Sequence, residues 1–165
     1  MIAYGKRVLV VDDEEHIGHL LVEYLEMHCF AAVAVADGLQ ALRELHHRHF
    51  DAVITDLHMP YLDGFDLLRQ CHLVWPQLPV ILMSGNLLDI VWPAMAHGAS
   101  ACLPKPIDTE KLIHVLSEAI SDTDDPRFGQ RDMITHMLEA QRRWSVPERA
   151  TDRWQAGGLT EDEAC

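Results

Sequence analysis

Short apolar runs alternate along this chain with longer segments whose apolar residues return every three or four positions. Residues 8–11 are continuously apolar, the pattern of a strand covered on both faces. Next, Ile17, Leu20, Leu21, Tyr24, Leu25 and His28 form an i, i+3, i+4, i+7 stripe that predicts a helix packed on a sheet, with the carboxylates of residues 12–15 at its start. Residues 32–36 predict an alanine-rich second strand, and Asp37-Gly38 turns it into a helix carrying Leu39, Leu42 and Leu45. The stretch 51–64 reads as a short buried strand that ends on Asp56, and the Pro60 and Asp63-Gly64 turn hands the chain to a helix bearing Phe65, Leu67, Leu68, Cys71 and Val74. A fourth strand is expected over 77–83. The helix after it, over 87–96, is interrupted by Pro93, which removes a hydrogen bond and predicts a short or split element. Gly98 closes that segment, residues 99–103 predict a fifth strand, and Asp108 is the expected N-cap of a last helix with Leu112, Ile113, Val115, Leu116 and Ile120. Five strand–helix alternations specify an α/β fold: a parallel sheet with helices on both faces.

Four of the predicted strands run into polar groups: Asp12-Asp13, Asp56, Ser84 and Lys105-Pro106. In an open parallel sheet such strand ends line one edge, where ligands bind. The acidic pair, Asp56 with its Met59-Pro60-x-x-Asp63-Gly64 sequel, Ser84 and Lys105-Pro106 together resemble the receiver domain of bacterial two-component response regulators, over roughly residues 5 to 121. The resemblance implies a flavodoxin-like, CheY-like sheet of order 2-1-3-4-5. It implies Asp56 as phosphoacceptor, Ser84 and Lys105 as phosphoryl contacts, and a cis bond before Pro106. It also implies magnesium on Asp13, Asp56 and the main-chain oxygen of His58, with Asp12 binding directly or through water. A histidine kinase or phosphotransfer protein is the implied phosphodonor, and an undetermined downstream protein the implied target. The chain is then no enzyme in the ordinary sense, although it assists its own phosphorylation and dephosphorylation.

Two departures bear on that reading. The switch position three residues before the lysine, commonly Tyr or Phe in receivers, is Cys102, which has no ring to turn inward as Ser84 moves. Pro93 alters a helix on the face receivers commonly use for partners. A phosphate-independent interaction module with the same fold is therefore the alternative. A phosphatase of the haloacid dehalogenase type would want a second Asp where His58 stands. A flavin site would want a phosphate-cradling loop where residues 12–15 are all acidic.

Composition narrows the rest. A formal charge of −13 argues against direct nucleic-acid binding, which draws on clustered Lys and Arg. Cysteines 29, 71, 102 and 165 show no paired spacing, no apolar run approaches the roughly 20 residues of a membrane span, and no signal peptide precedes the first strand, so a reduced, cytoplasmic protein is expected. His46, His47 and His49 are expected to face solvent rather than to hold a metal, and His16 and His19, which flank the acidic pair, are expected to pack or to face solvent rather than to govern access to the site. Residues 1–121 are read as the receiver and 122–126 as a linker. Residues 127–145 are read as an amphipathic helix with Met133, Ile134, Met137, Leu138 and Trp144 on one stripe, and 146–165 as a mobile tail. That C-terminal helix needs a surface to dock on: its own receiver, a second copy or a partner such as a kinase, with a homodimer the leading expectation and docking on its own receiver the alternative.

Overall fold

The computed structural model describes residues 5–86 and 91–124. Its elements alternate as the sequence pattern predicts: β1 (Arg7–Val11), α1 (Glu15–Met27), β2 (Ala31–Val35), α2 (Gly38–His47), β3 (Ala52–Asp56), α3 (Gly64–Val74), β4 (Val80–Ser84), α4 (Val91–Ala96), β5 (Ala101–Pro104) and α5 (Thr109–Asp124). All strands are parallel, in the order β2-β1-β3-β4-β5. Every residue of β3 and β4 is buried, as continuous apolar runs require, whereas the edge strand β2 is only half-buried. Leu9, Ile54, Leu82 and Leu103 form the fully buried middle of the sheet, each side chain worth about 1.5–3 kcal/mol of transfer free energy.

Two helices turn a different face to the sheet than their leucines suggest. In α1 the buried positions are Gly18, Leu21 and Leu25, while Leu20 is 59% exposed. The helix approaches β2 through Gly18, where an added Cβ would lie 3.3 Å from the Ala34 methyl, and that close approach rotates Leu20 outward. In α2 the buried positions are Gly38, Ala41 and Leu45 rather than Leu39, because Gly38 packs directly under Leu62. Small residues, not large ones, set both approaches.

Helix ends carry local stop and start signals. Asp37, Asp63 and Asp108 each accept the N–H of the residue three positions on (Gln40, Asp66 and Lys111), a bond that satisfies one orphan donor of the first turn. The end of α1 lacks a glycine, yet Cys29 takes a left-handed φ of 66°. Cys29 N–H donates to the Glu26 carbonyl and Phe30 N–H to the Leu25 carbonyl, the two bonds of a Schellman turn, and Leu25 and Phe30 are both buried.

Of the linker expected at 122–126, residues 122–124 are helical, and 125 and 126 lie outside the described residues. Helix α5 continues through Asp122 and Thr123 to Asp124. The hydroxyls of Ser121 and Thr123 donate to the carbonyls of Ser117 and Ile120, so polar residues here remain compatible with the helix. Pro93 lies in α4, which spans six described residues. The amphipathic helix expected at 127–145 and the tail at 146–165 lie outside the described residues.

Candidate functional site

Strand register assembles the site. Val11 of β1 aligns with Thr55 of β3, so Asp12 and Asp56 are the next step on adjacent strands. Asp56 aligns with Met83 of β4, Ser84 follows it, and Ser84 aligns with Pro104 of β5, after which comes Lys105. Because the chain winds from β1 outward to β2 and then returns to β3, the connections part at this edge and leave a crevice.

Nearest-atom distances show how tight the edge is. Ligand oxygens of Asp12, Asp13 and Asp56 all lie within 4.8 Å of one another. Lys105 Nζ reaches in from the end of β5 to Asp12 Oδ2 at 3.1 Å and Asp56 Oδ1 at 3.3 Å. The Asp12 carboxylate is fully enclosed, Asp56 is nearly so, and Asp13 is exposed. A bond from Lys105 N–H to the Ser84 carbonyl, 2.8 Å, and the cis Lys105-Pro106 peptide set where the lysine leaves the sheet.

Burial and charge act in opposite directions here. Burial pushes the Asp56 carboxyl above the usual carboxylate range; the Lys105 ammonium opposes this, and Asp12 adds to it. Burial alone would lower the Lys105 ammonium, but hydrogen bonding and charge from Asp12, then Asp56, outweigh it and hold the lysine above its ordinary value. One fixed positive charge thus faces three carboxylates. A set of hard oxygen donors, two of them buried and under-neutralised, fits a hard divalent cation.

Several supports were not visible in the motifs. Leu57 N–H donates to Asp56 Oδ1 at 2.9 Å and Glu14 N–H to Asp12 Oδ1 at 2.9 Å, which orients both carboxylates. The Thr55 hydroxyl donates to the Asp56 carbonyl within the core. Gly64, read in sequence only as a turn residue, begins α3 directly over Asp56: a Cβ there would collide with the Asp56 carbonyl oxygen and lie 2.8 Å from Leu57 Cα. Its N–H donates to the Leu57 carbonyl, so the start of α3 clamps the end of β3.

The remaining candidates fall into two groups. Ser84 is buried at the edge, and its Oγ accepts from Asn86 N–H at 3.1 Å. His58 is exposed on the loop after β3. Cys102 lies inside the sheet opposite Leu82, fully enclosed, and burial pushes its thiol up to about 12. His16, His19, His46, His47 and His49 are exposed, and none joins the carboxylate cluster.

Comparison with known proteins gives a consistent result. The family described as the response regulator receiver domain matches residues 8–117. The regulatory protein VirG of Agrobacterium tumefaciens is 34% identical over 110 residues, 66% of this chain and 41% of VirG. The DNA-binding transcriptional regulator NtrC of Escherichia coli is 34% identical over 115 residues, 69% of this chain and 24% of NtrC. The chain therefore spans well under half the length of these relatives. A response regulator receiver domain protein from Clostridium thermocellum superposes with a TM-score of 0.69 at 31% identity, covering 72% of this chain and 97% of that one. The receiver domain of the sensor histidine kinase PA1611 from Pseudomonas aeruginosa, described with a magnesium ion coordinated in its active site cleft, gives 0.65 at 26% identity and covers 71% and 98%. Among the described residues no helix is long and apolar enough to cross a membrane. With the family matched over residues 8–117 and relatives 34% identical, the chain belongs to the response regulator receiver domain family of two-component systems.

Proposed function

We propose that this chain is a phosphoacceptor, modified on Asp56 by a histidine kinase or phosphotransfer protein with magnesium bound. The observation that carries the reading is Lys105 Nζ lying 3.1 Å and 3.3 Å from two carboxylates at the strand edge, a cation held beside an unprotected nucleophile. An Asp56 oxygen attacks phosphorus and forms an O–P bond as the P–N bond of a phosphohistidine breaks; the electron pair stays on the imidazole nitrogen, which takes a proton from solvent. Lys105 shifts from its carboxylates to an equatorial phosphoryl oxygen, and Ser84, released from Asn86, donates its hydroxyl to another. Asp12, Asp13, Asp56 and the His58 carbonyl would hold magnesium, which supplies neutralisation of phosphoryl charge when bound. Hydrolysis reverses the modification, water attacking phosphorus and Asp56 leaving as the carboxylate.

The phosphorylated protein signals by protein–protein contact in the cytoplasm, without direct nucleic-acid binding, as its charge of −13 favours. A phosphate-independent adaptor is the second reading, favoured by Cys102, whose enclosed thiol offers no ring to couple Ser84 to the surface. Incubation with magnesium and acetyl phosphate, followed by peptide mapping of the acyl phosphate, separates the two. Modification on Asp56, absent from Asp56→Asn, supports the acceptor; no modification on any residue supports the adaptor.

A further inference from the structure

The carbonyl that His58 would give to magnesium belongs to a residue that does not place itself. The His58 side chain is exposed, so its main-chain oxygen goes where the loop between β3 and α3 puts it. One limb of that loop is fixed beside Asp56. Leu57 N–H donates to the Met83 carbonyl at 3.0 Å, the Leu57 carbonyl accepts Gly64 N–H at 2.8 Å, and Leu57 and Met59 are buried on either side of His58. The outer limb is unusual. Leu62 N–H donates to the Pro60 carbonyl at 2.9 Å across Tyr61, whose φ of 70° is left-handed. A three-residue turn of that hand is rare and strained, and such backbone persists only where its surroundings over-determine it. Tyr61 supplies no hold of its own, being 90% exposed.

The hold comes from the next residue. Leu62 lies against the first turn of α2, where a Cβ on Gly38 would stand 2.7 Å from Leu62 Cδ2 and 2.9 Å from the Leu62 carbonyl oxygen. That turn is a firm abutment, since Asp37 holds Gln40 through its backbone N–H, at 2.8 Å, and through its side-chain amide, at 2.9 Å. On the basis of the magnesium site proposed for this edge, we propose that Gly38 and Leu62 are positioning residues for the metal: their contact braces the outer limb of the loop and so sets where the His58 carbonyl lies. A methyl added at Gly38 meets both a side chain that can turn aside and a carbonyl that moves only with its backbone. Because Leu57 and Gly64 are clamped together, that movement passes into residues 58–62. Asp12 and Asp56, oriented by the N–H groups of Glu14 and Leu57, stay in place.

The test titrates magnesium chloride into the full chain and follows amide shifts by NMR. Gly38→Ala is expected to lower magnesium affinity about tenfold, the size typical of a support lost from behind a ligand, and to displace amide signals within residues 58–62 of the metal-free protein. Leu62→Ala, which removes the brace from the loop side and leaves α2 as it is, should weaken binding in the same direction. Gly18→Ala is the packing control: an added Cβ there would lie 3.3 Å from the Ala34 methyl, between α1 and β2, and magnesium affinity should match that of the parent. Asp13→Asn tests the site itself and should lose the metal. If Gly38→Ala and Leu62→Ala bind magnesium as the parent does, the brace is refuted while the site stands. If Gly18→Ala weakens binding equally, the effect is one of general packing and the brace is refuted as well. A parent that binds no magnesium removes both the site and the brace.

Discussion

Replacing Asp56 with Asn should stabilise the metal-free protein, even though it removes an ion pair. Asp56 faces two carboxylates, Asp12 and Asp13, with ligand oxygens within 4.8 Å, and one ammonium, Lys105, at 3.3 Å. At an effective dielectric near 20, each like-charge pair at that separation costs about 3.5 kcal/mol and the opposite pair returns about 5 kcal/mol; with the exposed Asp13 screened, Lys105 outweighs Asp12 and the charges do not by themselves destabilise Asp56. Burial of the carboxylate decides the sign, since it outweighs Lys105 and pushes the carboxyl above the usual range. Asn keeps the oxygen that accepts Leu57 N–H. The expected gain is about 1–2 kcal/mol, or roughly a 0.5–1 M rise in the urea midpoint. The pH dependence follows from the raised carboxyl of Asp56. With the folded value above the unfolded one, the stability contributed by this group is full below the unfolded value and lost as pH rises through the folded value. The advantage of Asn is therefore largest at neutral pH and shrinks in acid. Urea unfolding followed by circular dichroism in EDTA measures it. Repeating the titration in magnesium should narrow or reverse the gap, since ligand binding to the folded state stabilises the parent. A variant less stable than the parent in EDTA at pH 7 would refute the electrostatic account.

Lys105→Met should do the reverse, leaving the enclosed Asp12 carboxylate without its cation and costing about 2–4 kcal/mol in EDTA, with phosphorylation by acetyl phosphate lost and magnesium, followed by fluorescence titration, still bound. Gly64→Ala forces a methyl against the Asp56 carbonyl and Leu57 backbone; a loss of about 1–3 kcal/mol in unfolding free energy, measured by urea titration, and slower phosphorylation are expected. With thiols pushed up to about 12 by burial, Cys71 and Cys102 hold only about one part in ten thousand as thiolate at pH 8, so iodoacetamide should leave both unmodified in the native protein and label both in urea, read by peptide mass. Removal of residues 125–165, a cut placed beyond the end of α5, should convert a dimer to a monomer by light scattering if the C-terminal segment is the assembly element; equal masses would exclude that role.

The alternation of apolar runs and helical stripes was sufficient for the α/β class, because a strand buried on both faces and a one-sided helix have distinct periods. The strand-end residues were legible too: Asp12, Asp56, Ser84 and Lys105 each follow an apolar run, and each lies at the same edge. What the sequence could not decide was how the elements approach one another. Leu20 and Leu39 read as core by period, yet face solvent, since Gly18 and Gly38 let their helices come close on a different face. The signal for the end of α1 was hidden because a left-handed residue there is cysteine rather than glycine. Local composition at 122–124 read as linker, while hydroxyl-to-carbonyl bonds accompany a helix that runs on to Asp124. The grip on Asp56 likewise depends on backbone: Leu57 N–H, the Thr55 hydroxyl and the absent side chain of Gly64 act through distances that no residue pattern encodes. Sequence named the charged groups because chemistry resides in side chains. Only the register of four strands brought Lys105 to within 3.3 Å of a carboxylate 49 positions earlier, because contact between distant residues is fixed by the packing of the whole sheet.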